Sequence, residues 1–205
     1  MPELFEAIKQ RRSTRKYQTK PVPKQLVEEV LEITIWAPSA HNAQPWRFII
    51  LADDLVKREL AEAMAEAWAA DMAKDGAVID AEMRTGRVER FASAPALILA
   101  CTTMEGMNKF PDKTRQSVEQ DLAIQSFGAA MQNLLLAAHS KGLGACWFCA
   151  PAFCKETVRK TMKIPDDVDP QALIALGYPN EKPPVPPRKP LGEYCFRDKW
   201  GGELF

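Results

Sequence analysis

The sequence lacks an excess of charge of either sign: 27 Lys and Arg stand against 27 Asp and Glu over 205 residues. A neutral chain supplies no field to draw it to a nucleic-acid backbone or an anionic membrane surface, so neither is expected as a partner. Long apolar runs are missing as well. The longest, Pro95–Cys101 and Leu134–Ala138, fall far short of the roughly 20 residues that span a bilayer. The charged N-terminal stretch has no apolar core of a secretion signal, and a soluble cytoplasmic protein is expected. Histidine is scarce, at two residues, and no Ser–His–Asp or Cys–His pattern can be built around His41. Five cysteines is an odd count. Cys146, Cys149 and Cys154 are spaced C-x2-C-x4-C, with Cys195 as a conceivable fourth thiolate, but the run between them (CWFCAPAFC) is apolar and without the small turn residues of a ligand knuckle. They read as small hydrophobes of a reducing compartment, and no metal is expected.

What is present is an ordinary globular composition, long enough to bury a core without staples and suited to one domain. Leu4, Phe5 and Ile8 share a helical face within Glu3–Gln10. Leu26, Val30, Ile33 and Ala37 recur at helical spacing, predicting a helix over Pro23–Ala37 that Pro38 ends. Trp46–Leu51 is a short strand and Asp54–Lys74 an Ala-rich helix. Asp75–Arg90, charged and broken by Gly76 and Gly86, reads as a mobile loop or lid with some helix, within a variable region at 75–115. Ala96–Cys101 is a buried strand and Glu105–Lys113 a loop. Ser117–Lys141 is a long helix, apolar on nearly every side over Ala123–Ala138, which calls for cover from its own domain and from a second subunit. Gly142 and Gly144 stop it. Ala145–Cys149 is a strand, Pro151–Met162 a helix and Ala172–Gly177 a last strand. Pro183–Pro190 is polyproline-like, so the 180–205 tail, with Tyr194, Phe196, Trp200 and Phe205, cannot pack on itself. There is no internal repeat and no second domain over 1–205. Few short strands separated by helices leave α+β and α/β both open.

Four segments carry chemistry. Arg11, Arg12, Ser13 and Arg15, between two helices, offer guanidinium and hydroxyl groups that can chelate a dianionic phosphate; a basic turn at a helix C-terminus is the plainer reading. The loop PSAHNAQPW, 38–46, offers Ser39, Asn42 and Gln44 to the hydrogen-bonding edge of a heterocycle, while Ala40 and Ala43 permit close backbone approach; a turn with satisfied amides is the alternative. Gly142-Leu143-Gly144 runs from helix into strand, the wrong order for a dinucleotide fingerprint. Arg188 and Lys189, between prolines, can close over a phosphate or lie in solvent.

Taken in order, RRSTRKY at 11–17, PSAHNAQPW at 38–46, GLGACW at 142–147, GYP at 177–179 and PPRKPL at 186–191 resemble the FMN-dependent nitroreductase superfamily over nearly the whole chain. The resemblance implies an α+β fold, with a small central mixed sheet flanked by helices, and an intertwined homodimer with extended C-terminal arms. It implies that Arg11, Arg12, Ser13 and Arg15 hold the FMN phosphate and the O2 side of the flavin, and that Arg188 with Lys189 closes over the phosphate. Pro38, Ser39, Ala40 and Asn42, with Gln44 beside them, match the loop that reaches the flavin from the partner subunit. Cys149 and Ala150 fall where backbone groups lie near flavin N5; many members carry Glu-Gly there, so any side-chain role is lost. The Asn and Lys that some subgroups supply before ALILAC have no matched counterpart, and Arg84, Arg87 and Arg90 lie in that region.

The activity implied is a ping-pong transfer of hydride from NAD(P)H through flavin N5 to a small-molecule acceptor such as a nitroaromatic, a quinone or an unsaturated ring. No acid or base residue is nominated. A flavin-dependent dehydrogenase or dehalogenase of the same superfamily, or a non-catalytic flavin-binding module, are the competing readings.

Overall fold

The computed structural model describes residues 3–204. In chain order the elements are α1 (Leu4–Gln10), α2 (Lys24–Thr34), β1 (Trp46–Leu51), α3 (Asp54–Lys74), α4 (Ala81–Ala92), β2 (Ala96–Thr103), α5 (Lys113–Ser140), β3 (Gly144–Phe148), α6 (Lys155–Met162) and β4 (Val168–Gly177). Short 3-10 turns occupy Ala40–Asn42, Ala150–Phe153 and Leu191–Glu193. Segregated helices on an antiparallel sheet make this α+β rather than α/β.

The strands form one sheet in the order β1-β2-β4-β3. Each neighbouring pair is antiparallel, which corrects the expectation of a mixed sheet. Two connections explain it. Between β1 and β2 the chain goes out along α3 and back along α4, so β2 starts beside the end of β1, with Leu51 opposite Leu97. β2 and β3 do run the same way, joined by α5, but β4 inserts between them and pairs antiparallel with both. A parallel contact survives as an isolated bridge between Ser13 and Ala145. Pro170 sits at the irregularity in the β2–β4 register, opposite Cys101, where a missing N–H does least harm.

β2 is buried along its length because helices cover both sheet faces. Its even residues, Ile98 and Ala100, pack with Ala172, Ile174 and Leu176 beneath α2 and α5. Its odd residues, Leu97, Leu99 and Cys101, pack with Leu173 and Ala175 beneath α3, α4 and α6. The period of two therefore assigns each side chain to a face, though both faces are apolar. Burial pushes the Cys101 thiol up to about 12, with Asp169 adding to the effect; this cysteine is a core hydrophobe.

One expectation changes here. Asp75–Arg90 is not mainly a loop: Asp80 caps α4, its carboxylate accepting from Met83 N, and the helix buries Val88, Phe91 and Ala92. It is tied to α3 by Arg84–Glu66 and Arg58–Glu89 ion pairs and by Arg87 stacked 4.3 Å over Trp68. Its charges bind a neighbouring helix, which a single-segment reading cannot see. The buried strand expected at Ala96–Cys101 is present as β2. No helix among the described residues is long and apolar enough to cross a membrane.

Candidate functional site

Residues 11–18 leave α1 and run extended between the sheet edge and the start of the C-terminal arm. Thr14 N donates to Ala145 O (3.0 Å), Gln18 N to Tyr178 O (2.9 Å), and Asn180 N to Lys16 O (2.9 Å). Tyr17 Oη donates to Thr14 O and lies 3.2 Å from Ala175 O; burial raises its pKa, keeping the phenol a donor. Glu181 finishes the lacing by accepting from Arg15 N (2.5 Å) and Lys16 N (3.0 Å), bonds that hold its carboxyl below the usual range.

The glycines of GLGACW and GYP now have a reason. Gly144, which opens β3, and Gly177, which ends β4, are register partners. A Cβ on Gly144 would meet the Thr14 side chain at 2.7 Å, and one on Gly177 the Tyr17 ring at 2.8 Å. Their bare backbones let the arginine segment lie flat on the sheet. Gly142, at φ +76, is the left-handed stop of α5.

This placement gathers positive charge. Arg11 lines a cavity of about 460 Å³ with Arg12, His139, Gly142–Ala145 and the start of the arm. Its Nη1 is buried without a hydrogen-bond partner, and burial, then Arg12, with Arg188 also contributing, lowers its pKa. His139 is held below its ordinary value by burial and then by Arg11 and Arg12. Burial raises the pKa of the Cys146 thiol, outweighing the opposing effects of Arg15, a Ser13 hydrogen bond, Arg11 and Arg90. Among the described residues, none of Arg11, Arg12, Arg15, Arg90 and Arg188 has a carboxylate within ion-pair distance. Arg11 and Arg12, adjacent on the cavity and without a counter-charge, fit an anion better than they fit each other.

The expected residues do not all converge. Arg12 spends Nη1 on Lys9 O (2.6 Å) and Arg11 O (2.7 Å), closing the end of α1. Arg188 is exposed, donating to Pro186 O and Pro187 O, and Lys189 pairs with Glu193 away from the cavity. Of the three α4 arginines, Arg84 is tied to Glu66 and Arg87 to Trp68, leaving Arg90 free of either kind of contact among the described residues. Cys149 is exposed and precedes a 3-10 turn that starts at Ala150, so the Ala150 N–H has no partner inside the turn. No group of three or more His, Cys, Asp or Glu side chains suited to a metal occurs among the described residues.

The 38–46 loop lies elsewhere. His41, Asn42 and Gln44 line a separate cavity of about 670 Å³ with Trp46, Arg47 and Gly106, sharing no residue with the arginine cavity. Its backbone is strained: His41, Asn42 and Gln44 have φ of 56°, 53° and 48°, each costing on the order of 1 kcal/mol for a residue with a Cβ. Sequence reasoning missed what holds it. Glu119, buried on α5, accepts from His41 Nε2 and Asn108 N, and Ser126 accepts from Ala40 N. The available signal was an acid at position 119 in line with the buried stripe Ala123, Phe127, Ala130, Leu134 and Ala138.

Comparison with known proteins decides the lineage. The family model described as "Nitroreductase family" matches residues 8–178. The chain belongs to the nitroreductase family. It is 35% identical over 183 residues, 88% of this chain and 80% of the relative, to a Methanothermobacter thermautotrophicus protein assigned as an NADH dehydrogenase/NAD(P)H nitroreductase. A crystal structure of a protein assigned as a nitroreductase from Desulfovibrio desulfuricans, in complex with FMN, matches with a TM-score of 0.72 and 28% identity over 98% of this chain and 99% of that one. A BluB-like flavoprotein from Clostridium difficile shares the fold, with a TM-score of 0.79 and 21% identity over 97% of this chain and all of that one. Among nitroreductase-family features expected here, the helix-flanked sheet and the order of motifs are present.

Proposed function

We propose that the chain is a homodimeric FMN-dependent NAD(P)H oxidoreductase with two sites, each built by both subunits. The observation that carries this reading is the set of unpaired arginines around the extended 11–15 segment, with the buried Nη1 of Arg11 lacking a partner. Arg11, Ser13 and Arg188 bind the phosphate. Arg15 and Arg90 put positive charge beside the pyrimidine edge, where it favours the anionic reduced ring. The Ala150 N–H supplies a backbone donor toward N5, with Cys149 as its neighbour. A bound FMN would supply hydride chemistry at N5 between NAD(P)H and a second small molecule, in ping-pong order. Pro38, Ser39, Ala40, Asn42 and Gln44 complete the site of the other subunit, because within one chain Asn42 and Gln44 line a different cavity from Arg11.

Supporting the two-chain site is apolar surface left without cover: Leu4, Phe5 and Ile8 on α1, and Ile33 and Trp36 at the end of α2, are 47–83% exposed. Patches of this kind mark interfaces. The test is the visible spectrum of the purified protein with added FMN, followed by steady-state kinetics with NAD(P)H and a quinone or nitroaromatic. Flavin bands that bleach with NAD(P)H, and parallel double-reciprocal lines, are expected. Bound FMN without turnover would leave a binding module, and no FMN binding would remove the proposal.

A further inference from the structure

We propose that Glu119 is the positioning residue that holds the 39–44 loop in its strained form, with His41, Asn42 and Gln44 left-handed, the form in which this loop meets the flavin of a second copy of the chain. The inference rests on the flavin reading of the loop.

Three of the four residues from His41 to Gln44 adopt positive φ and none is glycine. Such a backbone persists where surrounding contacts over-determine it. Within the loop, Ser39 Oγ accepts from Gln44 N at 3.1 Å. That closes the turn but does not fix it to the body. Anchorage comes from α5 and from the segment after β2. Both Glu119 oxygens lie 3.2 Å from His41 Nε2, and they also accept from Asn108 N (3.1 Å) and Asn108 Nδ2 (3.4 Å). Ser126 accepts from Ala40 N at 3.1 Å while donating to Leu122 O at 2.7 Å. Gly106, at φ +76, lets its backbone approach Ala43, where a Cβ would stand 3.2 Å from Ala43 Cα.

Glu119 is the hub of this arrangement. A carboxylate only accepts, so His41 Nε2 carries the proton toward it. The 3.2 Å approach of Asn108 Nδ2 to that same nitrogen is then donor against donor, tolerated because both donors share one acceptor. Glu119 is 4% exposed, and every bond it makes goes to the loop or to Asn108, none to a Lys or Arg. An apolar residue would continue the buried stripe of α5 without the desolvation cost of a carboxylate. What the carboxylate does that an apolar residue cannot is hold His41 and Asn108 together, and with them the curve of the loop.

The test uses the full chain and two readouts. Hydrogen exchange on flavin-free protein reports the clamp, and FMN titration with visible circular dichroism reports its use. Glu119→Ala is expected to speed exchange at 39–45 and at Asn108 while β2 and β4 keep their protection. It is expected to weaken FMN binding about tenfold or more and to alter the dichroism of the bound flavin. Glu119→Gln, which keeps an acceptor for Asn108 N–H and can turn its amide to the imidazole, is expected to restore both readouts to within about threefold. If Glu119→Ala does not fold, His41→Ala removes the loop's half of the contact from an exposed side chain and carries the same expectation. Unchanged exchange at 39–45, or exchange rising equally in β2 and β4, overturns the clamp whatever the flavin does. A wild-type protein that takes up no FMN overturns the flavin reading, with the exchange result still deciding the clamp.

Discussion

Arg11 and Arg12 are adjacent arginines with opposite duties, and the difference is measurable. Arg11 has a buried nitrogen with no partner, whereas Arg12 closes the last carbonyls of α1. We expect Arg11→Ala to weaken FMN binding by about 1–3 kcal/mol in a fluorescence titration. Arg12→Ala should lower thermal stability with a smaller effect on FMN; equal losses of affinity would contradict the assignment. His139 reports the same field. Its pKa is lowered by burial and then by Arg11 and Arg12, so the folded state resists its protonation. The stability this contributes is present above its ordinary 6.5 and is lost as pH falls through the lower folded value. A phosphate bound at Arg11 cancels part of that field, so the His139 pKa should rise on adding FMN, with proton uptake. A proton NMR titration showing no rise would place the phosphate out of reach of this cluster.

At the scale of elements, the site depends on an extended segment lying flat against β3 and β4. Gly144→Ala puts a methyl 2.7 Å from Thr14, which is itself buried and short and so cannot swing aside. Overpacking of this kind costs about 1–3 kcal/mol, and here it also lifts Arg11–Arg15 from the sheet. We expect a lower melting temperature and weaker FMN binding together. Gly86→Ala, on the open face of α4 with no atom within 4 Å of the added Cβ, should leave FMN binding unchanged. A Gly144→Ala protein as stable and as tight-binding as wild type would show that the segment has room to spare. The α3–α4 hairpin belongs to this scale too, since its return path sets β2 antiparallel to β1.

For the whole molecule, a single chain leaves two things unfinished. The loop with Asn42 lines a different cavity from Arg11, and aromatic surface is bare, with Phe5 73%, Trp36 83% and Trp200 91% exposed. A second copy of the chain would resolve both. Light scattering should therefore show a dimer, and Trp36→Glu should weaken the dimer and FMN binding in parallel. A monomer that keeps full FMN affinity would refute a site shared between chains. The arm after Pro183 makes few contacts with its own chain, with Val185, Leu191 and Tyr194 exposed. Its removal is expected to cost the dimer more than it costs the fold of the sheet.

The sequence by itself determined the elements whose signals are local. Helical spacing placed α2 and α3, apolar β-formers placed β1 and β2, and the ordered motifs RRSTRKY, PSAHNAQPW and GLGACW pointed to the family and to most of the residues now proposed to bind the flavin. Properties that depend on partners distant in the chain needed the tertiary structure. The sheet is antiparallel because β4 slots between β2 and β3, an event no window of sequence contains. α4 is a helix because α3 supplies partners for its charges and its buried face. In sequence, Glu119 is marked only by its place in line with the buried stripe of α5, and Glu181 looks like an ordinary surface acid. Only folding brings His41, 78 residues away, to the first and the backbone of Arg15, 166 residues away, to the second. Residue type sets what a side chain can bind, but long-range packing sets which groups it meets.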